Sequence, residues 1–341
     1  VCRTQAKFSA PLDNFDLAFI SDFVPDEYSV RGILNSALHI GGTGKQPEIV
    51  CQWNTPKLSI NRAAVDECSG AIAYRSGKLY TKKPARFTIG SNRAYFSGLV
   101  PFHLSFDDFR FEPLPQDIEG RLDITIEDLE FLPLVLPQVG FAEGKGSINV
   151  TIGGQVSSPR LQGVADLRDL AFNVTDSNIN VDQTDVILDF THKGFEIRRC
   201  EGLLNGGVYR ADGFVESDWH RVRYADLSAT LPGGSTFEEP GYYRVKFDEV
   251  SLKMKGKVER GRTLSLPPVR GTVQIIEGEY ERDWQQLVKE WFHSEADVQF
   301  EVWADYPIMR HLRFDLDVVA PSNFWVISDF GKLKIEVSID G

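Results

Sequence analysis

The sequence predicts an all-β protein whose sheet curls over its own apolar face, with only a few short helices. Three observations carry that expectation. Short runs alternate strictly between apolar and polar residues, long amphipathic helical patterns are almost missing, and one stretch of the chain recurs 112 residues later.

The alternation is clearest in five runs. Leu122, Ile124 and Ile126 alternate with Arg121, Asp123 and Thr125, and Ile148, Val150 and Ile152 with Ser147, Asn149 and Thr151. Val298, Phe300 and Val302 interleave with Asp297, Gln299 and Glu301, and Leu312, Phe314, Leu316 and Val318 with Arg313, Asp315 and Asp317. Leu333, Ile335 and Val337 close the chain in the same way, and Val273 and Ile275 keep the period inside PPVRGTVQIIEG. Side chains point to opposite faces of a strand in turn, so each run is apolar on one face and wet on the other.

Something must cover the dry face, and helices are too few to do it. Three stretches have helical spacing: residues 13–24, 127–136 and 281–293. The first two occupy equivalent places in the duplication, each with Asp near its start and Pro just past its end. The sheet must therefore cover itself, as a barrel, a sandwich, a filled solenoid or an open trough.

Residues 16–61 align without a gap on 128–173, with eleven identities where about three would arise by chance. Among them are Gly32, Ile40, Gly41, Gly42 and Pro47, which meet Gly144, Ile152, Gly153, Gly154 and Pro159, and Leu58 and Asn61, which meet Leu170 and Asn173. A looser third copy runs from MKGKV at 254–258 through a polar insertion to Pro267, Val269 and Gly271. The spacing divides the chain into three β-groove units, 1–112, 113–224 and 225–341, each holding several strands. The Gly-Gly pair is expected to reverse the chain, and the Pro to start a strand compatible with a sheet edge.

Composition limits the partners. The 341 residues carry 37 basic and 49 acidic side chains, a net charge of −12 with no basic block, which disfavours nucleic acid. The most apolar stretch, FLPLVLP at 131–137, is far shorter than the roughly 20 residues of a membrane-spanning helix. Both ends read as cuts through a longer chain. The four cysteines, at 2, 51, 68 and 200, have no metal-site spacing; they read as small buried residues, with Cys51–Cys68 the pairing to expect in an oxidising compartment.

Motifs for catalysis are missing. GGTGK at 41–45 lacks the flanking residues of a phosphate loop and reads as a hairpin turn, and neither G-x-S-x-G nor H-E-x-x-H occurs. The six histidines are scattered, and Asp107–Asp108 and Asp123 with Glu127 and Asp128 read as solvated faces or caps. The expectation is a non-enzyme that needs no cofactor and no metal.

The segments FDLAFISDFVPDEYSVRGILNSALHIGGTGKQPEI, EDLEFLPLVLPQVGFAEGKGSINVTIGGQVSSPRLQG and LRFDLDVVAPSNFWVISDFGKLKIEVSIDG resemble the TamB family, the periplasmic subunit of the translocation and assembly module of Gram-negative bacteria, within the AsmA-like group. The resemblance implies an elongated curled β-sheet, a β-taco with an apolar interior, related to bridge-like lipid transfer proteins. It implies a parent protein anchored in the inner membrane, carrying phospholipids toward the outer membrane beside a protein of the outer-membrane barrel assembly family.

The residues that would line such a groove are Leu122, Ile124, Ile126, Ile148, Val150, Ile152, Val273, Ile275, Val298, Phe300, Val302, Leu312, Phe314, Leu316, Val318, Leu333, Ile335 and Val337. Similar aliphatic side chains in a row would hold a phospholipid tail about equally at each step and so let it slide. The competing expectation is an envelope scaffold of the same architecture, its interior filled by its own side chains.

Overall fold

The structure is a computed structural model. It describes residues 8–18, 29–107, 109–175, 178–218, 221–239, 243–260, 264–281, 312–328 and 331–338. The class is the one the sequence predicts: nearly all β, with almost no helix among the described residues. Contacts divide the chain into two compact units, Val1–Leu170 with Leu188–Gly194, and Ala171–Ile187 with Phe195–Gly341.

The first unit begins with β1 (Phe8–Asp16), β2 (Val30–Gly42), β3 (Pro47–Ile60), the short β4 (Ala63–Val65), β5 (Glu67–Arg75), β6 (Lys78–Ile89) and β7 (Asn92–Ser105). It continues through β8 (Arg110–Pro113), β9 (Glu119–Ile126), the one-turn helix α1 (Leu132–Val135), β10 (Val139–Gln155) and β11 (Ser158–Val174), whose last residues pass into the second unit. Neighbours pair antiparallel in the order β1–β2–β3–β5–β6–β7–β9–β10, with β4 paired to β3 and β8 to β7. Hairpins of this kind need only short turns, and so the chain requires no crossover helices here.

The aligned segments 16–61 and 128–173 carry the hairpins β2–β3 and β10–β11, the second reaching past Leu170 into the other unit. The Gly-Gly cassette is a hairpin turn in each. Gly42 and Gly154 sit at φ +82 and +76, a left-handed backbone that glycine adopts without strain. Across the first turn, Thr43 and Gln46 exchange backbone hydrogen bonds. Pro47 opens β3 and Pro159 is the second residue of β11, places where a missing N–H costs least. β3 is flanked by β2 on one side and β5 on the other, so Pro47 starts an interior strand rather than an edge strand.

Two of the three helical stretches are corrected. Asp13–Asp16 belong to β1, where a bulge between Leu12 and Phe15, with Asn14 at φ +58, shifts the apolar phase and imitates a helical period. Residues 19–24 lie outside the described residues. In 127–136 only Leu132–Val135 are helical, stopped by Pro137. Residues 282–293 lie outside the described residues, and Glu281 ends a strand.

The second unit takes up most of β12 (Asn180–Thr191) and β13 (Gly194–Leu204), followed by β14 (Gly207–Asp218), β15 (Arg221–Gly233), β16 (Thr236–Glu239) and β17 (Tyr243–Lys257). A small ladder of β18 (Glu259–Arg260) and β19 (Leu264–Ser265) precedes β20 (Val269–Glu281), β21 (Phe314–Ser328) and β22 (Gly331–Ser338). Pairing runs β14–β15–β17–β20–β21–β22, with β16 on β17; all are antiparallel except β20–β21, which is parallel. The third sequence copy is the β17–β20 pair, and its polar insertion holds β18 and β19.

Candidate functional site: apolar rows across the sheet

Strand register turns the alternation of single strands into rows that cross many strands. In the first unit one row reads Phe8–Ile40–Ile49–Tyr74–Leu79–Val100, with every member apolar or aromatic. A parallel row on the same face reads Cys68–Phe87–Ala94–Ile124–Ile148, and Ala85–Phe96–Leu122–Val150 runs beside it. At about 4.8 Å between strands, six strands give roughly 24 Å of continuous apolar surface, more than the roughly 15 Å of hydrocarbon in one membrane leaflet.

The opposite face is mixed: Val50–Ala73–Tyr80–Leu99 forms a short apolar row on it, with Ala73 buried, and polar side chains dominate beside that row. Asn35–Asn54–Ser69–Arg86–Tyr95–Asp123–Asn149 is a polar row across seven strands. Ion pairs such as Arg86–Glu67 and Arg121–Asp123 decorate it, and Arg86 lies over the Tyr95 ring. The Arg121 guanidinium, by hydrogen bond and then charge, holds the Asp123 carboxyl below its ordinary range.

The second unit repeats the arrangement. Leu231–Val250–Val273–Val318, Ala229–Leu252–Gly271–Leu316 and Leu227–Met254–Val269–Phe314 are apolar rows across β15, β17, β20 and β21. Between them lie Thr230–Ser251–Thr272–Asp317 and Ser228–Lys253–Arg270–Asp315. Ile275 pairs with Phe247 and so extends the same face past two register shifts.

The structure thus brings Leu122, Ile124, Ile126, Ile148, Val150 and Ile152 onto one face of the first unit. It places Val273, Ile275, Phe314, Leu316 and Val318 on one face of the second. Leu312 lies just before β21 rather than within it. Leu333, Ile335 and Val337 are in β22, paired with Val326, Phe324 and Ala320. Val298, Phe300 and Val302 lie outside the described residues.

These rows are covered incompletely. Among the described residues the fully buried apolar side chains are Ala, Val and Leu with a single Tyr, and no Phe, Ile, Trp or Met is among them. The largest described side chains with almost no exposure are Thr184, Pro47 and Ser235. A core filled by its own side chains would bury its largest apolar residues first. Here Ile72, Phe96, Phe214 and Phe314 remain exposed.

Several features escape sequence reasoning. A groove of about 1100 Å³ crosses the strands from β1 to β7, lined largely by polar side chains such as Asn35, Gln52, Asn54, Glu67, Lys83 and Arg86. Three asparagines clasp the rim of the sheet. Asn61, at φ +51, accepts from the Ser29 N–H and donates through Nδ2 to the Val135 carbonyl, 2.7 Å in each case. Asn205, at φ +48, does the same between Asn180 and Asn178, and the Asn92 carboxamide oxygen accepts from the N–H groups of Glu127 and Asp128. Asn61 belonged to the duplicated set, but only the fold reveals what it holds.

The cysteines depart from expectation. Cys51, Cys68 and Cys200 are free and half-buried. Cys51 pairs with Ile72, and Cys68 is four residues further along β5, about 13 Å away and beyond disulfide reach. Burial pushes the Cys200 thiol above its ordinary value, against the opposing hydrogen bond of Tyr209. Among the described residues no group of three or more His, Cys, Asp or Glu could hold a metal ion, and no helix is long and apolar enough to cross a membrane. No protein-family model, curated protein or solved structure matches this chain.

Proposed function

We propose that this chain is a segment of a periplasmic phospholipid conduit of the TamB and AsmA-like kind, running between inner and outer membranes and supporting outer-membrane lipid homeostasis and assembly. One observation carries the reading: apolar rows continue from strand to strand while their large side chains stay partly accessible. An acyl chain of about 16 carbons loses on the order of 12 kcal/mol on entering water, so carriage through an aqueous space needs such a surface. Rows of similar Ile, Val, Leu and Phe offer near-equal affinity along their length, which permits sliding where one deep pocket would trap.

The ligand is then the acyl portion of a phospholipid, and the polar row opposite faces water. In the parent protein an inner-membrane anchor and a partner of the outer-membrane barrel assembly family complete the path. The scaffold alternative is disfavoured because its filled interior would bury the Phe and Ile residues that stay open in the described parts of the chain.

Mass spectrometry of the purified chain should find co-purifying phospholipid. A photocrosslinker at Ile124 should label with lipid, and one at Asn149, on the opposite face, should not. Delipidated-looking protein together with equal labelling at both positions would rule the conduit out.

A further inference from the structure

The β7–β8 hairpin carries a surface that conduction along the rows does not require. The apolar face of β7 runs outward from Phe96 through Val100, Phe102 and Leu104 to Phe106, and β8 returns with Phe111 opposite Leu104 and Pro113 opposite Phe102. At the tip Phe106, Phe111 and Phe109 are 37%, 53% and 78% exposed. The Phe106 and Phe111 rings meet edge to face with centroids 6.2 Å apart. The Phe106 N–H donates to the Gly44 carbonyl at 2.8 Å, tying the base of the tip to the β2–β3 turn.

Phe109 is the unusual residue. It holds φ +52, a left-handed backbone that Gly or Asn adopts at much lower cost, and its ring is the most exposed large apolar side chain among the described residues. Neither local conformation nor packing within the unit accounts for a Phe there. A use outside the chain does.

We propose that this tip is an interfacial anchor that inserts its three phenyl rings among the acyl chains of a zwitterionic phospholipid surface. Together the rings expose roughly 300 Å², well short of the roughly 800 Å² per partner that a specific protein interface buries. Insertion to the depth of one turn leaves the polar backbone among headgroups. Asp107 and Glu112 outnumber Arg110 on the described part of the hairpin, which disfavours an anionic surface. The anchor deepens the conduit reading and rests on it in one respect: the tip continues the apolar face of β7 that gives Phe96 and Val100 to the rows that would receive acyl chains.

Flotation of the whole chain with phosphatidylcholine vesicles tests the anchor. Wild type should float, and Phe109→Gly, which suits the backbone and preserves the fold, should cut the floated fraction about tenfold, the effect of one fully buried ring. Adding phosphatidylglycerol should lower binding. Wild type that stays down, Phe109→Gly that floats as well, flotation that requires phosphatidylglycerol, or Phe109-dependent self-association without flotation each overturn the anchor. Co-purified phospholipid measured on the same samples separates the two readings: Phe109→Gly should lose flotation and keep its cargo, whereas flotation by a chain that never carries cargo sinks the conduit alone.

Discussion

The hairpins β2–β3 and β10–β11 derive from one duplicated segment, yet they build their apolar face from different residues. Where the first has Ser36 beside Trp53, the equivalent positions of the second are Ile148 and Ala165. Where the first sets Leu38 against Cys51, the second sets Val150 against Gly163. Bulk has moved between partner strands while the face stayed apolar. The bare backbone of Gly163 lets Val150 sink to 6% exposure, whereas Leu38 stays half-buried.

The rim did not diverge in this way. Gly42 and Gly154 keep the left-handed turn, and the missing side chains of Gly32 and Gly144 leave room for Leu58 and Leu170 across the ladder. Each Gly-Gly turn is also pinned by a neighbouring loop, the first through Phe106 to Gly44 and the second through Ile118 to Gly154. Duplication therefore conserved what bends and fastens the chain and left the lining free to vary within one chemical class. Such variation within one chemical class is what the proposed conduit, which needs no stereospecific contact, would tolerate.

The sharpest challenge to this contrast is a buried charge. Val150→Asp should cost on the order of 3–5 kcal/mol in urea unfolding, because an unpaired carboxylate would sit where almost no water reaches. Leu38→Asp, at the equivalent but half-buried position, should cost about half of that. Equal losses would erase the difference between the copies.

Removing the clasp comes next. Asn61→Ala loses its side-chain hydrogen bonds to Ser29 and Val135 and leaves a non-glycine residue at φ +51, a loss of about 2 kcal/mol. Hydrogen exchange should rise at Asn61 and Arg62 and around α1 together, since the bond to Val135 ties the first copy to the second. Exchange confined to the first copy would contradict that tie.

Gly42→Ala and Gly154→Ala should each cost about 1–2 kcal/mol, from positive φ and from the added Cβ meeting a backbone oxygen. The first should cost slightly more, because the Gln46 carbonyl stands 2.3 Å from that Cβ and the Ser158 carbonyl 2.8 Å. Thermal unfolding of both variants checks whether the two turns do the same work.

The smallest effect belongs to the second copy alone. Arg121 and Asp123 of β9 face Thr151 and Asn149 as Ser9 and Pro11 of β1 face His39 and Ala37, so the ion pair has no counterpart beside the first copy. The Asp123 carboxyl is held below its ordinary range, so its contribution is present at neutral pH and fades only as pH falls below about 4. Acid titration of Asp123→Asn against wild type should show a small difference above that pH, reduced by salt and absent at lower pH. Persistence of the difference in strong acid would point to another cause.

The strand alternation of 121–126 and 147–152 was readable because period two survives wherever one face is dry and the other wet. The duplication was readable because turn geometry tolerates few residues. Within the stretch 13–24, residues 13–16 misled because a bulge at Asn14 alters the phase that helix and strand patterns share. The roles of Asn61, Asn92 and Asn205 were hidden, since their partners lie up to 74 residues away.

By itself the amino-acid sequence determined the all-β class, the position of the turns and the face on which each regular strand carries its apolar side chains, because these follow from local backbone geometry. Only the tertiary structure decided which faces join into rows, that Cys51 and Cys68 stay apart, and how much of each Phe and Ile remains open. Those depend on strand register and on what packs above the sheet, quantities set by partners distant in the chain.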